Sequence, residues 1–241
     1  MQSPTGNVEL MGQYDSLQYY SDDPVFIWHI DNGQCEPYPR ELEIVKSYMR
    51  EYPGCNRTFI DVGGHIGTQS LPYSKLFQKV VAFEPNVSSY TFFKKNIEAN
   101  HAANITVYNQ GVYNKTAHCK VMQHSDANSG CFYIRECDAN DAEAIRVVKL
   151  DDVWRTMNMH TQPQEKPVVD FIKIDTEGSE LYVLEGAVEI IESCKPLIQV
   201  ETNHTSEKYF GYTKERIYEF MWQHHYKVYN DDGNNPLFYC R

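Results

Sequence analysis

Short apolar runs alternate with amphipathic stretches from Thr58 onward. Thr58 to Val62 (TFIDV), Lys79 to Phe83 (KVVAF), Ile105 to Tyr108, Val168 to Ile174 (VVDFIKI) and Pro196 to Val200 are rich in β-branched and aromatic residues. Turn residues or helical patterns bound each run, which predicts five buried strands. Between them the period becomes helical. Asn86 is placed to cap a helix whose Tyr90, Phe93 and Ile97 recur at three- and four-residue spacing. After Gly178, Leu181, Leu184, Val188 and Ile191 form one apolar stripe, and Thr213 precedes a helix that turns Ile217, Phe220 and Met221 inward. Strands alternating with helices predict βαβ units, right-handed crossovers and an α/β fold around a mainly parallel sheet. His225 to Tyr229 and Leu237 to Cys240, joined by Asp231-Asp232-Gly233-Asn234-Asn235, predict an antiparallel hairpin at the sheet edge.

Two regions depart from this alternation. Residues 1–57 begin with a polar stretch to Asp23, followed by a strand-like Val25 to Ile30 and a helix from near Pro39 with Leu42, Val45 and Met49 aligned. This segment reads as an N-terminal extension, a candidate substrate cap, ahead of a domain spanning 58–241. The stretch from Tyr113 to Pro167 is too long for one crossover. Its strand-like Ala117 to Met122, Cys131 to Ile134 and Ile145 to Leu150 predict an insertion after the third strand, near the active face.

Charge narrows the function classes. The 241 residues hold 22 basic and 33 acidic side chains, a net charge of −11, which argues against nonspecific nucleic-acid binding. No apolar run approaches the roughly 18 residues of a transmembrane helix. The N-terminus has neither the basic start nor the apolar run of a secretory signal. The seven cysteines form no C-x-x-C pair, so reduced thiols and a cytoplasmic location are expected.

Candidate chemistry gathers at two strand ends. Asp61-Val62-Gly63-Gly64-His65-Ile66-Gly67 follows the first strand and precedes a helix, where glycines let the backbone turn tightly and approach a ligand. The spacing is not G-x-G-x-x-G, and a plain strand–helix turn explains it equally well. The second strand ends Phe83-Glu84-Pro85-Asn86. Glu84 thus stands about twenty residues after the glycines, where an acid can accept both ribose hydroxyls of an adenosine. Asp61, just before the glycines, would repel a pyrophosphate but suits a cationic ligand. S-adenosylmethionine carries an ammonium and a sulfonium and no phosphate, so Asp61 with Glu84 favours it over NAD.

The second segment is Asp170-Phe171-Ile172-Lys173-Ile174-Asp175-Thr176-Glu177-Gly178-Ser179-Glu180-Leu181. Strand alternation sends Lys173 and Asp175 to one face, opposite Ile172 and Ile174. Asp175 then stands at the strand's carboxyl end, and Glu177 begins the next helix, where the dipole favours a carboxylate. The fifth strand ends Glu201-Thr202-Asn203-His204. Lys173, Asp175, Glu177 and Glu201 are therefore expected in one cleft, with His204 nearby. Two chemistries fit a methyl transfer to a hydroxyl. A carboxylate or histidine removes the proton while Lys173 polarises the oxygen, or Asp175 and Glu201 bind Mg²⁺ that acidifies the hydroxyl. The plainer alternative is a Lys–carboxylate salt bridge, a helix cap and a solvated histidine.

Together these residues resemble the FkbM family of S-adenosylmethionine-dependent O-methyltransferases, from about Thr58 to Glu201. Asp61-Val62-Gly63-Gly64-His65-Ile66-Gly67 resembles the family's D-V-G-A-N-x-G, with Gly64 and His65 replacing Ala and Asn. Ala82-Phe83-Glu84-Pro85-Asn86 matches F-E-P, and Leu150-Asp151-Asp152 resembles T-L-D-D. Asp170 to Gly178 followed by Glu180-Leu181, Val183-Leu184 and Gly186-Ala187 is the most specific match, and Lys195-Pro196 leading to Glu201 closes it. The resemblance implies a Rossmann-like class I methyltransferase with a seven-stranded sheet flanked by helices, and methylation of a hydroxyl, often on a sugar or polyketide-derived product. It implies cofactor contacts at Asp61, Gly63, Gly64, His65, Gly67 and Glu84, with Gly111 and Val112 beside the adenine. Asp151 falls either near the cleft or on a helix cap. The acceptor expected is a sugar or glycan hydroxyl, met by a free enzyme or by a segment of a larger multidomain glycan-building protein, in any oligomeric state. A silent methyltransferase-like binding module and an NAD-dependent oxidoreductase are the alternatives.

Overall fold

The computed structural model describes residues 10–34, 39–123, 132–158 and 168–241. Leu10–Tyr14 (β1) and Leu17–Ser21 (β2) form an antiparallel hairpin in the stretch that reads only as polar. Asp15 and Ser16 close it with φ of 45° and 66°, the double positive φ of a tight hairpin turn. Pro24–Asp31 is a helix, α1, and not the strand expected over Val25 to Ile30. The Asp23 side chain accepts the N–H of Val25 and Phe26, and Pro24 opens the first turn. Cap and proline together outweigh the β-branched composition. Pro39–Glu51 (α2) is the expected helix; it buries Val45, with Leu42 and Met49 packed beside it.

The core strands follow the expected runs: Thr58–Val62 (β3), Lys79–Phe83 (β4) and Ile105–Tyr108 (β5), interleaved with Ser70–Ser74 (α3) and Val87–Ala99 (α4). Asn86 caps α4, its side chain accepting from Ser88 and Ser89 N–H. The insertion is a second sheet of Gly111–Val112 (β6), Ala117–Gln123 (β7), Phe132–Glu136 (β8) and Ile145–Val148 (β9), in the order β6-β9-β7-β8. Cys131, expected to open one of these strands, lies outside the described residues. The strand expected to reach Leu150 stops at Val148, because Leu150–Asn158 (α5) begins there with Asp151 and Asp152 in its first turn.

Val169–Ile174 (β10) returns to the main sheet. The stripe after Gly178 is two helices and not one, Glu180–Glu185 (α6) and Val188–Cys194 (α7). At the break a Cβ on Gly186 would lie 2.2 Å from the Tyr113 carbonyl oxygen, so the chain must pass there as glycine. Asp151 settles on a cap: its oxygens accept the N–H of Glu189 and Ile190 at 3.1 Å, at the start of α7. Leu197–Val200 (β11), a π-helical turn at Ser206–Phe210, Lys214–Gln223 (α8), Lys227–Asn230 (β12) and Leu237–Tyr239 (β13) complete the fold.

The main sheet has seven strands in the order β12-β13-β11-β10-β3-β4-β5. β11, β10, β3, β4 and β5 run parallel; β12 and β13 form the expected antiparallel edge hairpin. Alternation along the strands divides the core. Ile60, Val62, Ile172 and Ile174 pack with α6, α7 and α8 on one face, while Phe59, Val80 and Phe171 pack with the N-terminal elements on the other. The Phe59 and Phe171 rings stack at 4.9 Å. Truncating such a buried ring costs about 3–5 kcal/mol.

Asn96 of α4 is fully buried and ties the N-terminal hairpin to this core. It accepts the Tyr20 N–H at 2.6 Å and donates to the carbonyls of Tyr20 and Ile66. A short polar hairpin is thereby anchored over the glycine loop. Among the described residues no helix is long and apolar enough to cross a membrane.

Candidate active site

Backbone bonds continue past the strand ends and hold four loops at one edge of the sheet. Asp175 N donates to Val62 O at 3.0 Å, Glu201 N to Ile174 O at 2.8 Å, Glu84 N to Tyr108 O at 3.0 Å, and Gly63 and Gly64 both donate to Phe83 O. Carboxyl ends of parallel strands at such an edge are where α/β folds bind ligands. A cavity of about 560 Å³ opens there. It is lined by predicted residues Gly63, His65, Glu84, Gly111, Val112, Lys173, Asp175, Glu177 and Glu201.

The glycines divide by role. Gly63 has φ +84°, and a Cβ there would fall 1.7 Å from the Asp175 carbonyl oxygen, so only glycine lets these two loops meet. Gly64 and Gly67 do not line the cavity. Cβ atoms on them would lie 2.7 and 2.5 Å from the Phe93 ring, so they seat the loop on α4. Asp61 is fully buried behind the cavity wall, accepting from Ser70 Oγ at 2.6 Å.

Glu84 is gripped by main chain. One oxygen accepts the His65 N–H at 2.8 Å and the other the Asn86 N–H at 2.7 Å. Burial nevertheless pushes its carboxyl up to about 8, against the pull of those donors and of Lys173. His65 has φ +49°, a conformation in which asparagine and histidine are both enriched. Its ring meets Phe26 edge-on at 4.8 Å, which links α1 to the glycine loop.

The other end of the cavity is acidic. Register pairs Lys173 with Asp61 across β10 and β3. Lys173 Nζ lies 3.0 Å from Asp175 Oδ2, 3.8 Å from Asp61 Oδ1 and 3.3 Å from the Gly63 carbonyl. Burial drives Asp61 upward, and Lys173 and Ser70 only partly offset it. Asp175 differs. Burial would raise it, but the charge and hydrogen bond of Lys173, a hydrogen bond from Glu201 and the field of His65 hold it below the usual carboxylate range. Glu201 is driven well above that range by burial and then by Asp175, Glu177 and Glu180. Within the pair, protonation is therefore easier at Glu201 than at Asp175.

Glu177 departs from its expected place. It sits at φ +56° in the loop before α6 and is not the first helical residue. The turn is held by Glu180, whose Oε1 accepts from Thr176 N at 3.0 Å and Gly178 N at 2.8 Å. The Glu177 side chain lines the cavity, where Asn203 Nδ2 donates to it at 3.4 Å and to Glu201 at 2.8 Å. Asp175, Glu177 and Glu201 each present an oxygen within 4.8 Å of the others, a spacing one cation can span. His204 is exposed and does not line the cavity; Asn203, its neighbour, is the residue of that segment bonded to the acids. Phe26, His29 and Gln34 from the N-terminal extension and Phe132 and Ile134 from β8 also line the cavity. Only their segments, and not the residues themselves, carried a signal in the sequence.

A family model for the methyltransferase FkbM domain matches residues 61–228. Methyltransferase 1 of Beauveria bassiana (strain ARSEF 2860) is 22% identical over 191 residues, covering 73% of this chain and 76% of that protein. The crystal structure of a methyltransferase FkbM from Methylobacillus flagellatus KT aligns with a TM-score of 0.51 at 21% identity, over 77% of this chain. This chain spans 44% of the length of that solved protein, and the likeness is one of fold. The sheet order and the antiparallel edge strand are those of a class I methyltransferase. With well over half of its residues inside the matched segment, the chain belongs to the FkbM methyltransferase domain family.

Proposed function

We propose that this chain transfers a methyl group from S-adenosylmethionine to a hydroxyl of a sugar or glycan, in the cytoplasm. One observation carries the reading: a single cavity joins a main-chain-held Glu84 to the Lys173–Asp175–Glu201 group. The donor set fits this cofactor. The cavity offers carboxylates and backbone, and its lysine is already engaged by Asp175 and Asp61. Such a site suits a cationic sulfur, and its carboxylates would repel a pyrophosphate, which disfavours NAD.

S-adenosylmethionine supplies an electrophilic methyl on a positively charged sulfur. Glu84 would accept the ribose hydroxyls, since the His65 and Asn86 N–H groups already fix both of its oxygens. Gly111 and Val112 would flank the adenine, and the Gly63 turn would admit the amino-acid end. Lys173 holds Asp175 in place. The ionised Asp175 would accept the acceptor O–H, align its lone pair and take its proton as the carbon–oxygen bond forms. A weak base suffices, because the hydroxyl becomes strongly acidic as its oxygen is alkylated. Mg²⁺ on Asp175 and Glu201 is the second route, favoured by the 4.8 Å spacing of the acids. Lys173 already pairs with Asp175 at 3.0 Å, which supports the side-chain route.

The test is incubation with S-adenosylmethionine and a panel of glycosides, in Mg²⁺ and after EDTA, with mass and NMR detection of a methyl ether. An ether formed equally in both conditions is expected. Binding of S-adenosylhomocysteine without any transfer would favour the silent binding module.

A further inference from the structure

The acceptor side of the cavity has a charge and a shape from which its ligand class follows. Three acidic side chains, Asp175, Glu177 and Glu201, face one another within 4.8 Å. Lys173 is the lysine of the lining, and it is engaged by Asp175, Asp61 and the Gly63 carbonyl. No arginine lines the cavity among the described residues.

Two independent features point to a ligand here. Ser179 is fully buried and lines the same cavity beside Glu177, yet its Oγ has no hydrogen-bond partner among the described residues. A buried hydroxyl of this kind costs stability unless something satisfies it. In the same lining, β8 contributes the apolar side chains of Phe132 and Ile134. That strand is held in place by Tyr133, whose ring stacks on Tyr209 of the π-helical turn at 4.3 Å. Carboxylates accept hydrogen bonds from hydroxyls, and an apolar wall takes the C–H face of a ring.

We infer that Asp175, Glu177, Glu201, Ser179, Phe132 and Ile134 form an acceptor subsite for an uncharged, polyhydroxylated ring, and that it rejects acceptors bearing a phosphate or carboxylate. This rests on the proposed methyl transfer and adds the charge class of the acceptor. Sugar phosphates, uronic acids and nucleotide-linked sugars are excluded by like-charge repulsion; a neutral glycoside or an amino sugar is accepted.

The experiment uses the full chain saturated with S-adenosylhomocysteine. Methyl glycosides of glucose, galactose, mannose and rhamnose are titrated calorimetrically beside the glucose 6-phosphate, glucuronate and glucosamine counterparts. Neutral or amino members should bind about tenfold or more tightly than the anionic ones. Glu177→Lys should cut that preference by about tenfold while S-adenosylhomocysteine affinity stays within about threefold. The inference is overturned by an anionic member binding as tightly as its neutral partner. It is equally overturned by an unchanged preference in Glu177→Lys, or by no glycoside binding to the loaded protein. Failure of S-adenosylhomocysteine itself to bind would instead remove the methyl-transfer reading beneath it.

Discussion

Glu84 and Glu201 line one cavity, each at the carboxyl end of a parallel strand. Burial raises both, but their partners differ in kind. Glu84 is met by a backbone N–H group on each oxygen, whereas Glu201 takes a hydrogen bond from the Asn203 side chain and otherwise faces Asp175, Glu177 and Glu180. A carboxylate held by main-chain donors is a fixed acceptor, ready for neutral hydroxyls without rearrangement. A carboxyl set among carboxylates is pushed toward its neutral form, while Lys173, against burial, holds the neighbouring Asp175 below its ordinary range. On the proposed reading the same residue type serves recognition through Glu84 and chemistry through the group around Asp175, and the partner set makes the difference.

The sharpest way to break this division is Asp175→Asn. Turnover on a neutral glycoside should fall by about 10³-fold, the scale of a lost general base, with S-adenosylhomocysteine affinity within about threefold. Comparable losses in both would erase the distinction between the two ends. Glu84→Ala should do the reverse: S-adenosylhomocysteine dissociation constants from calorimetry should rise by about 10–100-fold, the worth of hydrogen bonds to a charged group.

The pH dependence sharpens the donor end. Glu84 titrates near 8 in the folded chain against an ordinary value of 4.5. A proton on it removes acceptor capacity, so S-adenosylhomocysteine affinity should climb from pH 6.5 toward 8.5 and flatten above it. In Glu84→Gln that climb should vanish. The folded chain without ligand follows the opposite sign. Because the folded value is raised, this group's contribution is fully present below about pH 4.5 and fades as pH rises through about 8. Thermal melts of wild type against Glu84→Gln measure that difference.

The smallest effect belongs to Glu201→Gln. The amide keeps a donor toward Asp175 and carries no charge, so turnover should remain within about tenfold of wild type. Glu201→Ala should lose more. If Gln and Ala are equally inactive while EDTA also abolishes turnover, Glu201 acts as an ionised metal ligand and not as a protonated donor.

Much of this arrangement was legible in the chain. β-branched runs marked the core strands, Asn86 marked its helix, and strand alternation placed Lys173 and Asp175 on one face. What escaped depends on contacts distant in sequence. The β1–β2 hairpin is short and polar, and Asn96 anchors it from α4. The break between α6 and α7 falls at Gly186, where the Tyr113 carbonyl leaves no room for a Cβ. Glu177 reads as a helix start because an acid there is favourable, but Glu180 takes that role from within the helix. His204 and Asn203 are neighbours in the chain, and only the path of the loop decides which one meets Glu201. The walls from α1 and β8 are set by packing between segments, which no local pattern encodes.

The most direct measurement is calorimetric titration of S-adenosylhomocysteine into wild type, Glu84→Ala and Asp175→Asn, each in Mg²⁺ and after EDTA. The account predicts binding to wild type and to Asp175→Asn with similar affinity, marked weakening in Glu84→Ala, and no dependence on metal. Loss of binding in Asp175→Asn with Glu84→Ala unaffected, or no binding to wild type in either condition, would contradict it.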